Sequence, residues 1–153
     1  MFNYEEAFSR NIGWVTKEEQ QKLRNTKVAI GGLGGVGGDH TIVLARLGIG
    51  NFHISDLDDY DVANFNRQAG ANMSTLGKAK AAVMEETVRG INPEATIKNF
   101  DSGINEDNLD EFLEGVDIYV DSLDIFVLEI RRKVFRRCYE KGIPTITAAP
   151  MGM

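Results

Sequence analysis

The residues of this chain best suited to chemistry are a run of glycines that follows an apolar segment. Six of the eight residues 31–38 are glycine, and residues 28–30 before them are Val, Ala and Ile. Glycine lacks Cβ, so Gly32, Gly34 and Gly37 can form a tight turn in which the backbone approaches a phosphate. The N terminus of a following helix would add N–H donors and partial positive charge. The run therefore predicts a nucleotide-binding turn.

An acidic residue stands where such a turn needs one. Asp56 ends the next apolar segment, residues 52–55, about 20 residues past the glycines, where an acid can bind ribose hydroxyls. The glycine spacing by itself is weak, because six glycines satisfy several templates. A flexible glycine loop with an ordinary acidic turn is the alternative.

Two cations and a pair of acidic residues follow. Arg67 lies in a long polar segment, residues 56–75, and Lys80 lies in the next helical segment. Arginine and lysine together suit a site where negative charge grows on a phosphoryl group. Asp121 and Asp124 follow an apolar strand, where an aspartate can hold magnesium against phosphates. Nicotinamide chemistry needs neither feature, whereas displacement at a nucleoside triphosphate needs both.

Each of these residues also has a purely structural interpretation. Arg67 and Lys80 could be surface charges, and Asp124 could be the N-cap of the segment that starts at Ile125. The combination favours the chemical interpretation.

The elements that position these residues alternate between strands and helices. A capping box from Thr16 to Glu19 predicts a helix to about Arg24 after an N-terminal arm. Strands are predicted over 27–31, 51–55, 95–100, 117–120 and 144–148, and helices over 41–47, 78–91, 105–113 and 127–141. This alternation predicts an α/β fold with an open, mainly parallel sheet flanked by helices. We expect a helical arm over 1–26 and a nucleotide-binding domain over 27–153.

Composition narrows the classes of function. The 153 residues carry a formal net charge of −6, which disfavours a general nucleic-acid or anionic-membrane surface. One cysteine, Cys138, excludes an internal disulfide framework and a cysteine-based zinc site in this chain. No signal peptide or membrane span is visible in the sequence, so we expect a cytoplasmic protein. Basic residues cluster in the last predicted helix, where we expect a solvated face, with a partner-docking patch as the alternative: Arg131, Arg132, Lys133, Arg136 and Arg137.

The linked motifs resemble those of the ThiF/MoeB superfamily of adenylating enzymes, which are related to the ubiquitin-activating enzymes. The resemblance runs from residue 9 to residue 149. It is carried by Gly32-x-Gly34-Gly35-x-Gly37, Asp56-x-Asp58, Asn64-x-x-Arg67-Gln68, Gly77-x-x-Lys80 and Asp121-x-x-Asp124, in that order. A Rossmann-like fold is implied.

The resemblance implies ATP- and Mg²⁺-dependent adenylation of a carboxylate. Asp56 would bind ribose, Gly35 and its neighbours would bind phosphates, and Asp124 would hold Mg²⁺. The charge on the transferring group would meet Asn64, Arg67 and Lys80, and the cofactor-binding set would include Asp58 and Gln68. Arg10 matches the arginine that family members insert into the partner subunit's site, which implies a homodimer.

The sequence also departs from the family pattern. Ile125 stands where asparagine usually follows the magnesium acid, and the paired zinc cysteines of the second half are missing. Cys138, His40 and His53 are expected to be packing residues. The chain stops soon after an apolar strand, so we expect it to be the N-terminal part of a longer protein.

Two other functions stay open. One is an NAD-dependent oxidoreductase domain that uses the same turn, and the other is a catalytically silent nucleotide-binding scaffold. For the adenylating function, three acceptors stay open: the C-terminal glycine of a ubiquitin-like sulfur carrier, the carboxylate of threonylcarbamoyl-adenosine in tRNA, and a peptide terminus. The glycine-lysine segment that begins at Gly77 is somewhat like the tRNA-modifying dehydratase branch, whereas the acidic charge disfavours a tRNA partner.

Overall fold

A five-stranded parallel sheet forms the centre of the computed structural model, which describes residues 1–148. The strands are β1 Lys27–Gly31, β2 Asn51–Ser55, β3 Thr96–Phe100, β4 Ile118–Asp121 and β5 Thr145–Thr147. Their order across the sheet is β3-β2-β1-β4-β5, and every pair is parallel. The chain adds β2 and β3 on one side of β1 and then β4 and β5 on the other side, so the strand order reverses between β1 and β4. Open α/β sheets bind ligands at such a point, beyond the carboxyl ends of the strands.

Six α-helices accompany the sheet in the described residues. They are α1 Tyr4–Ala7, α2 Lys17–Asn25, α3 Gly35–Leu47, α4 Lys80–Ile91, α5 Leu109–Phe112 and α6 Leu128–Lys141. Short 3₁₀ helices lie at Ser9–Asn11, Val62–Asn64 and Ile125–Val127. The predicted α/β class with a mainly parallel sheet and flanking helices is confirmed. None of the helices in residues 1–148 is long and apolar enough to span a membrane.

Two apolar layers cover the faces of the sheet. Val28 and Ile30 of β1 belong to the layer under α3 and α4, whereas Ala29 belongs to the layer under α5 and α6. This alternation is the period of two that a strand imposes. Cys138 is 1% exposed in the second layer, so its predicted packing role is confirmed.

The N-terminal arm packs against the C-terminal end of α3. The capping box at Thr16 and Glu19 is present, with reciprocal hydrogen bonds of 3.1 and 2.7 Å. The Tyr4 hydroxyl donates to the carbonyl of Gly48 at 2.5 Å, and Gln20 Nε2 donates to the carbonyl of Leu47 at 3.0 Å. The division at residue 26 stays a prediction, and residues 149–153 of the predicted domain and of the family resemblance lie outside the described residues.

Two predicted helices start several residues away from the observed ones. Helix α3 begins at Gly35, not at 41. Its first turn is rich in glycine, which has a low helix propensity, so the sequence pattern did not predict a helix there. Helix α5 begins at Leu109, not at 105. The Asn105 side chain accepts hydrogen bonds from the backbone N–H groups of Asp107 and Asn108, which holds that segment as a turn.

Candidate functional site

The glycine turn joins the carboxyl end of β1 to the N terminus of α3. Gly32 has φ +85°, and a Cβ there would lie 2.3 Å from the carbonyl oxygen of Ser122. A Cβ on Gly37 would lie 1.8 Å from the carbonyl oxygen of Gly32. Two of the predicted glycines are therefore required by the turn itself, since any side chain would displace the backbone.

The N terminus of α3 offers unpaired donors at this turn. Its N-cap is Gly34, which has no side chain to cap the helix. The first N–H groups of an α-helix have no intrahelical partner, and a helix of 13 residues adds partial positive charge at that end. This end of α3 can therefore bind a phosphate group, as predicted for Gly34, Gly35 and Gly37.

Asp56 lies directly beside the glycine turn. One carboxylate oxygen, Oδ2, accepts a hydrogen bond from the N–H of Leu33 at 2.6 Å, and Oδ1 accepts from the N–H of Asp58 at 2.8 Å. The same carboxylate thus braces the glycine turn and the start of the long polar loop. The structure therefore places the Asp56 carboxylate next to the glycine turn, and its ribose-binding role stays a prediction.

The polar loop returns to the glycine turn at Arg67 and Gln68. The Gln68 side chain is buried, and its Nε2 lies 3.5 Å from the position of a Cβ on Gly34. Its Oε1 is buried with no hydrogen-bond partner in the described residues. The carbonyl oxygen of Arg67 lies 3.2 Å from the position of a Cβ on Gly35. Arg67 and Gln68 therefore lie next to Gly34 and Gly35 of the glycine turn.

The side chains of Arg67 and Asn64 form hydrogen bonds within this loop. The Arg67 guanidinium is exposed and donates to the carbonyl of Ala63 at 2.9 Å. Asn64 Oδ1 accepts from the N–H of Asp61 at 2.9 Å in a capping box of the 3₁₀ helix. Nearby, burial and the Asp56 carboxylate raise the pKa of Tyr60 to about 12, so its hydroxyl stays protonated at neutral pH.

Lys80 and Asp58 form an ion pair at the start of α4. Lys80 Nζ lies 2.9 Å from Asp58 Oδ2, and the Lys80 side chain is buried whereas that of Asp58 is exposed. Asp58 is also linked to Asp56 through its N–H. The predicted Lys80 is therefore not a free surface charge, and it joins the site through Asp58.

Asp124 lies on the turn that follows β4. Its Oδ1 accepts from the N–H of Phe126 at 3.0 Å, so the N-cap interpretation is confirmed. Residues 1–148 contain no cluster of three His, Cys, Asp or Glu side chains that could hold a metal ion. An exposed carboxylate with a second oxygen still fits Mg²⁺, which nucleotide sites commonly hold through one or two carboxylates together with the phosphates.

Arg10 does not join the other predicted residues. It is exposed on the 3₁₀ helix Ser9–Asn11, and the neighbouring Asn11 donates from Nδ2 to the carbonyl of Leu47 at 3.0 Å. Leu47 is the last residue of α3, about 18 Å along the helix from Gly35. This distance is longer than an arginine side chain, so Arg10 cannot reach the glycine turn of its own chain.

A buried cluster that we did not predict lies at the end of β4. The Asp121 carboxylate is fully buried and binds Arg131, whose Nε donates at 2.7 Å. The expectation that Arg131 lies on a solvated face is therefore wrong. The Asp121-x-x-Asp124 spacing drew attention to Asp121, but only the fold shows that Arg131 binds its carboxylate. Burial and the Asp121 carboxylate raise the pKa of Tyr119, which donates its hydroxyl to Asp121.

Two surface clefts lie away from the glycine turn. One, of about 220 Å³, lies between α5 and α6, and the other, of about 250 Å³, lies at the amino ends of β1, β2 and β3. Neither is lined by a predicted site residue. The candidate site lies at the carboxyl edge of the sheet and is built from the glycine turn, Asp56, Asp58, Gln68 and Lys80.

Comparison with known proteins finds relatives for most of this chain. Residues 8–153 match the ThiF family. The tRNA threonylcarbamoyladenosine dehydratase of Bacillus subtilis is 34% identical over 142 residues, which are 92% of this chain and 55% of that protein. The molybdopterin-synthase adenylyltransferase of Haemophilus influenzae is 33% identical over 144 residues, 91% of this chain and 56% of that protein.

A solved structure shares the fold over almost the whole chain. The crystal structure of the Escherichia coli tRNA N6-threonylcarbamoyladenosine dehydratase in complex with ATP superimposes with a TM-score of 0.90 at 30% identity. The match covers 97% of this chain and 60% of that one. This chain therefore spans little more than half the length of the relatives it matches.

Proposed function

Because the chain belongs to the ThiF family, we propose that it is an ATP- and Mg²⁺-dependent adenylyltransferase that activates a carboxylate as an acyl-adenylate. The observation that carries this proposal is the convergence of the uncapped N terminus of α3, the Asp56 carboxylate and the Lys80–Asp58 pair at one sheet edge. An ATP complex of a relative with the same fold supports the choice of nucleotide.

The reaction places few demands on side-chain chemistry. The acceptor carboxylate is already an anion, so its oxygen can attack the α-phosphorus as the bond to pyrophosphate breaks. Catalysis then comes from orientation and from cations that neutralise the α-phosphate. We assign Arg67 and Lys80 to this charge, and Asn64 and Gln68 to the nucleotide beside them. Mg²⁺, when bound at Asp124, would screen the charge of the phosphates.

The ribose and phosphate assignments follow the local geometry. Asp56 is braced by Leu33 and Asp58, which fixes its carboxylate beside the turn without using all of its acceptor positions. The backbone of Gly32, Gly34, Gly35 and Gly37 would receive the phosphates.

We further propose a homodimer in which Arg10 completes the partner's site. Its position at the far end of α3 supports this arrangement, since the arginine cannot serve its own turn. In this arrangement, a second copy of the chain supplies the Arg10 cation to the site, as the family resemblance implies.

Of the acceptors that the family resemblance implies, we propose two for testing. One is the carboxylate of threonylcarbamoyladenosine in tRNA, which stands in the name of one relative, and the other is the C-terminal glycine of a sulfur-carrier protein. Four of the six basic side chains of α6 are paired with acids: Arg131 with Asp121, Lys133 with Glu106 and Glu129, Arg137 with Asp110 and Glu140, and Lys141 with Asp110. These pairs leave little free positive charge on α6 for a tRNA backbone.

Calorimetric titration with MgATP and, separately, with NAD tests the proposal. We expect MgATP alone to bind, and Arg67→Ala to lose the binding. Arg89→Ala is the matched control, because Arg89 is an exposed arginine paired with Glu85 on α4. Binding of NAD alone would replace the proposal with an oxidoreductase domain.

Exchange of labelled pyrophosphate into ATP separates an enzyme from a silent scaffold. The exchange is measured with each acceptor class in turn, a threonylcarbamoyladenosine-containing tRNA and a sulfur carrier that ends in glycine. Exchange with one acceptor identifies the substrate. Tight MgATP binding without exchange with either acceptor would favour the scaffold.

A further inference from the structure

The proposed reaction leaves one buried carboxylate without a role. Asp121, the last residue of β4, is fully buried. Its Oδ1 accepts from the Tyr119 hydroxyl at 3.1 Å, and its Oδ2 accepts from the Thr147 hydroxyl at 2.9 Å. Arg131 donates to Oδ2 from Nε at 2.7 Å and lies at 2.6 Å through Nη2. A buried charge of this kind is tolerated only when it is paired and hydrogen-bonded.

This cluster joins three elements at the edge that carries the candidate site. Tyr119 and Asp121 belong to β4, Thr147 to β5, and Arg131 to the first turn of α6. Arg131 Nη2 also donates to the Thr147 hydroxyl at 3.0 Å. One arginine thus holds the strand end and the helix start together.

The turn that carries Asp124 connects Asp121 at the end of β4 to Arg131 in α6. At its start, the N–H of Ser122 donates to the carbonyl of Gly31 at 2.8 Å, and the Ser122 carbonyl lies against Gly32. The four residues after Asp124 are large, apolar and substantially exposed, so core packing does not hold this segment: Ile125 at 61%, Phe126 at 89%, Val127 at 41% and Leu128 at 50% exposure.

From these contacts we infer that Arg131 is a positioning residue, which holds Asp121 and so orients the Asp124 carboxylate toward the nucleotide. This inference rests on the proposed function. Removing the guanidinium would leave Asp121 buried with hydroxyl donors alone, and the strand end would shift to hydrate it. Helix α6 would stay docked, because Val134 and Cys138 bury it against the sheet farther along.

The test compares ATP affinity in Mg²⁺ with ATP affinity in EDTA, by calorimetry on the whole chain. Arg131→Met keeps the aliphatic stem and removes the charge and the donors. We expect the gain in affinity that Mg²⁺ provides to fall about tenfold or more, which is the usual effect of removing a group that orients a metal ligand. The affinity in EDTA should stay close to that of the unaltered chain.

Two further variants distinguish positioning from a loss of structure. Arg137→Met removes an arginine of the same helix whose partners, Asp110 and Glu140, are exposed, and it should change neither affinity. Arg131→Lys keeps the charge but loses the planar fork, so it should restore part of the Mg²⁺-dependent gain. If Arg131→Met does not fold, Arg131→Lys carries the comparison.

The possible results separate this inference from the proposed function. An unchanged Mg²⁺-dependent gain in Arg131→Met, or equal losses with and without Mg²⁺, would overturn the positioning role. Failure of the unaltered chain to bind ATP under either condition would instead overturn the proposed function on which that role rests.

Discussion

Lys80 Nζ lies 2.9 Å from the Asp58 carboxylate, in a pair whose lysine side chain is 6% exposed and whose aspartate side chain is 71% exposed. The lysine is held in place by its surroundings, whereas the aspartate faces solvent. The pair thus presents an ordered cation at the edge of the candidate site. A bound phosphate could replace or share the carboxylate without moving the lysine.

Lys80→Met should weaken MgATP binding about tenfold or more, because a hydrogen bond to a charged group contributes about 1.5–3 kcal/mol. Methionine fills the buried volume of the lysine stem, so the fold should survive. Calorimetry with MgATP measures the loss. Lys78→Met, which removes an exposed lysine two residues earlier, should leave the affinity unchanged. Equal affinities for the two variants would contradict a nucleotide role for Lys80.

Asp124 combines a capping role with a predicted metal role, and two substitutions separate them. Asparagine caps helices as well as aspartate does, so Asp124→Asn should keep the thermal stability and lose Mg²⁺-dependent ATP binding. Asp124→Ala should lose both, with about 1 kcal/mol of stability from the missing cap. Thermal melts and titrations in Mg²⁺ and in EDTA give both quantities. Normal Mg²⁺ dependence in Asp124→Asn would remove Asp124 from the metal site.

Gly32→Ala should destabilise the fold by about 2 kcal/mol or more. The positive φ of Gly32 costs an alanine about 1–2 kcal/mol, and its Cβ would meet the Ser122 carbonyl at 2.3 Å. Gly90→Ala is the matched control, because Gly90 lies in α4 with nothing within 4 Å of an added Cβ. It should raise stability by about 0.5 kcal/mol or more through helix propensity. Urea unfolding measures both changes.

Much of the fold could be predicted from the sequence, because local pattern and global topology agree in this chain. Apolar segments of strand length alternate with helical periods, and this alternation predicts right-handed crossovers and a parallel sheet. The exceptions are the helix starts. Gly35 and Asn105 stand where local propensity opposes a helix, yet only the first segment is helical. Its Gly37 lies close to the Gly32 carbonyl, whereas the Asn105 side chain holds the second segment as a turn.

The contacts of the predicted site residues could not be read from the sequence, and their roles stay predictions. Spacing marked Asp56, Lys80 and Asp124, yet gave no sign that Lys80 pairs with Asp58. The prediction that Arg131 lies on a solvated helix face was wrong for a similar reason. In the sequence it is one of several basic residues on a helix, and only the docking of α6 beside β4 brings it to Asp121. Contacts between distant segments depend on the tertiary arrangement, which periodicity does not encode.

His53 should make the fold less stable in mild acid. Burial lowers the pKa of His53, although its Nδ1–H donates to the Phe112 carbonyl at 2.7 Å and opposes that effect. Lys27 and Lys98 lower the pKa further, and Glu114 raises it. The unfolded chain therefore takes up a proton near pH 6.5 while the folded chain stays neutral.

The sign of the pH effect follows from this difference in proton uptake. The contribution of neutral His53 is complete above about pH 6.5 and is lost as the pH falls from there toward the lower folded pKa. Urea unfolding at a series of pH values checks this. His53→Asn, whose amide can donate to Phe112 in the same way, should show a shallower loss. Parallel curves for the unaltered chain and His53→Asn would contradict the prediction.

Arg10 and Lys80 should complement each other between subunits if the active site is shared. Arg10 lies at the C-terminal end of α3 and Lys80 at the site near its N-terminal end, so each single variant, Arg10→Ala or Lys80→Ala, should be inactive in pyrophosphate exchange. In a mixed dimer, one site combines the intact Arg10 of one subunit with the intact Lys80 of the other. Mixing the two inactive proteins should therefore restore part of the exchange, whereas Arg10→Ala mixed with the double variant should restore none. No recovery in the first mixture, with subunit exchange verified by native mass spectrometry, would place Arg10 outside the site.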